Sequence, residues 1–225
     1  MALTKYGIKE CRLAVLVLLP LILLCIAGGV WVTTAGYAFA ALLFLALVAV
    51  LFFFRDPERK IPTGKNLILS PADGEISNIE LISASDAGNL AGIFDGKDML
   101  KISISVSAFD VRINRAPCDF TVKFRERKEM TESAVESVIL AGNATVGEQE
   151  IPLAIKQNSG AGRNKIVCEP VPGDKLSSGQ RYGMLKYGSD VELYIPAKSD
   201  LLEIKVKVGD RVQSGLTSVI EITEK

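Results

Sequence analysis

Gly183-Met-Leu-Lys-Tyr-Gly-Ser-Asp-Val-Glu-Leu-Tyr-Ile-Pro196 lodges a Gly188-Ser189 step between two strand-like runs. In the second run apolar and polar residues alternate, as a half-buried strand requires, because successive side chains point to opposite faces of a sheet. On its own Gly-Ser is a turn signal; here it sits where two strands meet. The same texture extends outward in both directions, with short apolar runs separated by Gly, Asp, Asn and Ser clusters. Strands are expected at Glu75 to Ile82, Met99 to Val106, Asp119 to Arg125, Glu150 to Ile155, Lys165 to Glu169, Asp190 to Ile195, Leu201 to Val208 and Thr217 to Ile222. Only Glu129 to Leu140 competes as a helix, and its Thr-Glu-Ser-Ala-Val-Glu-Ser composition leaves both states open. Residues 61–225 therefore read as one mainly β (α+β) soluble domain.

The first quarter of the chain follows a different rule. Leu13 to Phe54 is 42 residues without a charge, about twice the ~20 residues that one helix needs to cross a bilayer. The break falls at Trp31-Val-Thr-Thr-Ala-Gly36, so the expectation is a transmembrane helical hairpin near 13–30 and 37–54, within an anchor spanning residues 1–60. Lys5, Lys9 and Arg12 precede the hairpin and Arg55, Arg59 and Lys60 follow it, whereas the turn has no cation. By the positive-inside rule both ends, and the soluble domain with them, are expected on the cytoplasmic side of the membrane. A cleaved signal peptide fits less well, because the stretch is too long and ends in Phe-Phe-Phe-Arg55.

Composition removes several function classes. With 26 basic and 26 acidic residues the formal charge is zero, so there is no electrostatic case for a nucleic-acid partner. Cys11, Cys25, Cys118 and Cys168 form no C-x-x-C pair, which indicates neither a disulfide framework nor a thiolate metal site. Histidine is absent, and with it any standard Ser-His-Asp or Cys-His mechanism. Near the C-terminus, Lys205-Val-Lys-Val-Gly-Asp-Arg-Val-Gln-Ser-Gly215 places a tight turn between alternating runs. It reads as a plain hairpin or as the hammerhead-like unit of biotinyl and lipoyl carrier domains, although no lysine here has a carrier's Met-Lys setting.

Around Gly188-Ser189 the chain resembles the phosphatidylserine decarboxylase family, in its short membrane-anchored bacterial and archaeal form. Four further segments match in order: Phe53-Phe-Arg-Asp-Pro-Glu-Arg59 with Pro62, Ser70-Pro-Ala-Asp-Gly74, Asp110-Val-Arg-Ile-Asn-Arg-Ala-Pro117, and the Val208-Gly-Asp-Arg-Val-x-x-Gly215 of the terminal unit. The resemblance implies a carboxy-lyase acting on a serine phospholipid in the membrane. It further implies self-cleavage of Gly188-Ser189 into fragments 1–188 and 189–225, which stay together as partners. An oligomer is compatible with everything in the sequence.

The implied cofactor is a pyruvoyl group made from Ser189, with neither pyridoxal phosphate nor a metal. In an N-to-O acyl shift the Ser189 hydroxyl attacks the Gly188 carbonyl, and glycine leaves that carbonyl sterically open. Elimination and hydrolysis then leave a ketone that condenses with the serine amine and withdraws electrons as carbon dioxide departs. Asp73 fits a simple Pro-Ala-Asp-Gly turn on local grounds; the resemblance gives it a part in the proton relay of self-cleavage. Arg112, Asn114 and Arg115 lie in the segment that the family places beside its active site, where a cation can hold phosphate or carboxylate.

The match breaks at Arg112, which stands where the family usually has histidine. Arginine stays protonated and cannot serve as a base, though it can stabilise an oxyanion. The family's Gly-Lys-Phe and Asn-Glu-Arg signatures are also missing between Val122 and Ala161. Two readings follow. Either the enzyme works, with Asp73 or Asp190 taking the proton and Arg112 polarising the scissile carbonyl, or the chain is an uncleaved relative that binds lipid or a protein partner without turnover.

Overall fold

A computed structural model of the chain describes residues 2–31, 33–86, 88–130, 135–161, 166–186, 188–197 and 202–222. The chain divides into two compact units, Met1–Glu58 and Arg59–Lys225.

The first unit is a pair of helices, α1 (Ile8–Trp31) and α2 (Ala35–Phe53). Each is long and apolar enough to cross a membrane. The helix α1 starts earlier than the apolar run suggests, after a 3-10 turn (Lys5–Gly7) in which Tyr6 N–H donates to Thr4 Oγ1 at 3.3 Å. Hydropathy marks the part that suits a bilayer; a helix continues as long as its residues permit it, and Lys9, Glu10 and Arg12 all do. The two helices meet backbone to backbone at Gly36, where a Cβ would stand 2.4 Å from the Cys25 carbonyl oxygen and 2.5 Å from Gly29 N. Small residues at such a crossing are what apolar helices use to pack without a hydrophobic driving force.

Among the described residues the second unit has fourteen strands: β1 (Leu67–Leu69), β2 (Gly74–Ile82), β3 (Met99–Ser105), β4 (Ile113–Arg115), β5 (Asp119–Met130), β6 (Val135–Val146), β7 (Gln149–Ala161), β8 (Ile166–Cys168), β9 (Lys175–Leu176), β10 (Arg181–Leu185), β11 (Gly188–Pro196), β12 (Leu202–Ile204), β13 (Arg211–Val212) and β14 (Ser218–Ile222). The main sheet has eight strands in the order β13-β2-β3-β11-β7-β6-β5-β9. Two three-stranded sheets, β1-β14-β12 and β4-β10-β8, complete the domain. The core gathers Ile76, Ile102, Ile104, Leu140, Leu153, Ile155, Val191 and Leu193 from the main sheet against Ile68, Ile166, Tyr182, Leu185 and Ile220 from the smaller ones.

The mainly β expectation holds, and the ambiguous stretch resolves as strand on both sides of residues 131–134, which lie outside the described residues. The reason is burial on two faces. Val138 and Leu140 enter the main core, while Ile139 and Ala141 join a second cluster with Met99, Ala154 and Tyr194 beneath Leu90 and Phe94. A strand covered on both faces shows a continuous apolar run rather than alternation. The terminal unit also differs from a plain hairpin. Gly209 takes φ +94° at its turn, but the arms part: β12 pairs with β14 and β13 pairs with β2.

A buried ion pair ties three distant segments of this domain together. Arg59 Nη1 and Nη2 donate to Asp73 Oδ1 and Oδ2 at 2.6 and 2.7 Å, and Ser214 N–H donates to Asp73 Oδ1 at 2.8 Å. Arg59 Nη1 also donates to the Ser214 carbonyl and hydroxyl oxygens, and Ser214 Oγ donates to the Ile113 carbonyl. Side-chain exposures of 6% and 8% keep water from substituting for either partner.

Removing the guanidinium leaves Asp73 buried without its countercharge, so Arg59→Ala is expected to destabilise the domain by about 3–5 kcal/mol in chemical denaturation of the detergent-solubilised chain. Burial raises the Cys118 thiol and pushes the Cys168 thiol up to about 12, the latter against the pull of Arg125 and Arg127. Since the thiolate is the reactive form, neither is expected to take up maleimide at pH 8 until denaturant is added; labelling of native protein, read by mass spectrometry, would contradict this.

Candidate active site

The strand β11 lies inside the main sheet, paired with β3 from Asp190 to Pro196 and with β7 from Gly188 to Tyr194. Its first residues break the ladder. Gly188 is opposite Ser159 and Asp190 is opposite Asn158, so Ser189 is an extra residue, a β-bulge on the β7 side. Bulges bend a strand and redirect its side chains, and they are frequent beside active sites. The backbone of Ser189 is part of β11; its side chain lies outside the described residues. Gly188 has no room for any side chain, because a Cβ would stand 2.1 Å from Leu185 Cγ.

On the β3 side the ladder stops at Asp190 and a side chain takes over. Arg112 Nη1 donates to the Gly188 carbonyl oxygen at 3.4 Å and to the Leu185 carbonyl at 3.3 Å, while Nη2 donates to the Ser107 carbonyl at 3.0 Å. The residue is only 6% exposed. Its position follows from local pairing: β4 is antiparallel to β10, and Leu185 N–H donates to the Arg112 carbonyl at 3.0 Å. A buried guanidinium thus rests on the carbonyl of the Gly188-Ser189 peptide.

Asp73 reaches the same end of the sheet. Both β2 and β11 are antiparallel to β3, and Glu75, Ser105 and Asp190 share one row. Asp73 and Gly188 each lie two residues before that row in the chain. The carboxylate is turned to Arg59 and Ser214. Asn114 and Arg115 are nearly inaccessible, at 1% and 4% exposure. Asn114 Oδ1 accepts from Gln157 Nε2 at 2.8 Å and its amide donates to the Pro71 carbonyl at 3.4 Å. Arg115 Nη1 donates to the Gly179 carbonyl at 3.1 Å.

The opposite wall is also polar and buried. Ser159, the partner of Gly188, accepts from Glu136 N–H at 2.9 Å, and Glu136 pairs with Arg127 and accepts from Ile166 N–H at 3.2 Å. Sequence reading passed over Ser107, Gln157, Ser159 and Glu136, none of which lies in a motif, and took Arg59 as a cation flanking the membrane segment. No local pattern marks a carbonyl that will accept from an arginine 76 residues away.

The family model for phosphatidylserine decarboxylase matches residues 47–219. The chain is similar to proteins named phosphatidylserine decarboxylase proenzyme: from Ralstonia nicotianae, 32% identical over 87% of this chain and 91% of the relative; from Symbiobacterium thermophilum, 33% identical over 89% and 91%; and from Chlorobaculum tepidum, 33% identical over 96% of both. No solved structure matches the chain. A model match over most of the soluble domain, with relatives that align almost end to end, shows that this chain belongs to the phosphatidylserine decarboxylase family.

Proposed function

We propose that this chain is a membrane-anchored proenzyme that cuts its own Gly188-Ser189 bond, converts Ser189 into a pyruvoyl group and decarboxylates phosphatidylserine to phosphatidylethanolamine. One observation supports this above the rest: the Gly188 carbonyl, next to a bulged serine, accepts a hydrogen bond from a buried arginine. When Ser189 Oγ bonds to the Gly188 carbonyl carbon, negative charge collects on that oxygen, where Arg112 Nη1 already lies. A long resting contact of this kind suits an interaction that tightens as charge develops. The C–N bond then breaks, the nitrogen takes a proton and an ester remains. Loss of the Ser189 Cα proton expels the Gly188 carboxylate, and water releases ammonia from the dehydroalanine.

The proton needs an acceptor other than histidine, which the chain lacks. Asp73 and Asp190 are the candidates. Because Arg59 occupies both oxygens of Asp73, Asp190, adjacent to the serine, is favoured, and Asp73 holds the turn. The pyruvoyl group supplies the electron sink for decarboxylation. Asn114 and Arg115 are committed to internal partners, and Arg112 to three carbonyls; because one of these is the Gly188 carbonyl, cleavage would let Arg112 turn to the phosphate or carboxylate of the lipid. Helices α1 and α2 serve as the anchor, with both ends on the cytoplasmic face, and they keep the domain where its substrate lies.

The missing histidine supports a second reading, an uncleaved relative that binds lipid or a protein partner. Intact-mass analysis separates the two. Cleavage after Gly188, with the smaller fragment lacking a free amino terminus, is expected for the wild type and is abolished in Ser189→Ala; a single unmodified wild-type chain would exclude the decarboxylase. Arg112→Leu is expected to slow cleavage by ~10²–10³, the usual cost of losing one oxyanion donor, and Asp190→Asn to slow it more than Asp73→Asn does. Equal rates in wild type and Arg112→Leu would remove Arg112 from the reaction.

A further inference from the structure

Beside Arg112 the surface carries an exposed aromatic residue. Phe109 is 79% exposed at the tip of the Ser107–Asp110 turn, the turn whose Ser107 carbonyl accepts from Arg112. A second turn, Lys207–Asp210, presents Val208 at 58% exposure. The Arg211–Asp110 ion pair ties the two turns at 2.7 Å. Each turn draws its acid inward: Asp110 Oδ2 accepts from Ser107 N–H at 2.8 Å and Asp210 Oδ2 from Lys207 N–H at 3.0 Å. What remains outward is Phe109, Val208, the exposed Lys207 and Arg211, whose side chain is 61% exposed.

We infer that these paired turns are a docking edge that dips Phe109 and Val208 into the interfacial layer of an anionic bilayer, beside the entrance to the Gly188-Ser189 site. An aromatic tip beside an exposed lysine, with Asp110 and Asp210 drawn inward, suits a lipid–water interface. The chain limits the alternatives, since Phe53 at the end of α2 and Arg59 at the start of the domain are six residues apart, at most about 22 Å when extended. A domain on so short a tether meets the bilayer surface in every orientation it samples, and its most apolar projecting edge is favoured to enter. The docking carries the site to the head groups, so the lipid need not leave the membrane. The inference rests on the reading of α1 and α2 as a membrane anchor.

The test uses the full-length chain in vesicles made anionic with phosphatidylglycerol, which the proposed reaction does not consume. Trp31 is the one tryptophan; in a Trp31→Phe background, Phe109→Trp is compared with Val171→Trp. Val171 is also exposed but lies beside β9, at the sheet edge opposite β13. Lipids brominated near the top of the acyl chains should quench tryptophan 109 at least about twice as strongly as tryptophan 171, with a blue-shifted emission, as an interfacial aromatic requires. Equal quenching at both positions, or none at 109, would overturn the docking edge. The readout needs neither cleavage nor turnover, so quenching at 109 in a chain that never self-cleaves would sink the decarboxylase and keep the edge. Cleavage with tryptophan 109 unquenched would do the reverse.

Discussion

The pairing of β11 on both sides is the constraint from which the rest of the domain follows. A strand inside an eight-stranded sheet is held by β3 and β7 over most of its length, and its Val191, Leu193 and Ile195 are fully buried. Cutting the chain at the head of such a strand would leave the remainder of the ladder and its apolar contacts intact. A cut in an exposed loop would bring no comparable contact to bear on the peptide. Here Ser189 puts the strand out of register by one residue on the β7 side, a Cβ at Gly188 would press on the Leu185 side chain, and the Gly188 carbonyl lies against a fixed cation.

Arg112 and Arg59 divide the electrostatic work between them. Each is buried, and a buried cation costs too much to keep unless hydrogen-bonding groups surround it. Arg112 donates through both terminal nitrogens to backbone carbonyls, including that of the Gly188-Ser189 peptide, so its charge is directed at the oxygen that the proposed self-cleavage would make negative. Arg59 is satisfied by a carboxylate, and the resulting clamp gathers the residue at the start of the domain, the turn before β2 and the turn before β14. In the proposed mechanism an arginine at this position would polarise the carbonyl and leave proton transfer to a carboxylate.

Local patterns recovered much of this. The alternation in Glu75–Ile82 and Asp190–Ile195 located β2 and β11 closely, because both have one face in the core. Gly188-Ser189 stood out as the candidate site through its place between two strand-like runs and through the family resemblance, and the structure adds that Leu185 closes in on Gly188. The stretch around Ser137–Ala141 was not legible as strand, since its burial on two faces erases the period of two. Short strands such as β1, β4 and β9 were missed for a different reason: two or three residues carry too little pattern to stand out from a loop.

Taken alone, the sequence determined the apolar helical pair, the β character of the domain and the family, all of which depend on residue type and near-neighbour spacing, and it nominated Gly188-Ser189 as the bond at issue. Tertiary structure decided what surrounds that bond. Whether Asp73 faces a serine or an arginine, and whether Arg112 meets a lipid or a carbonyl, depends on contacts between residues far apart in the chain. Ladder register and core packing create those contacts, and no local pattern encodes them.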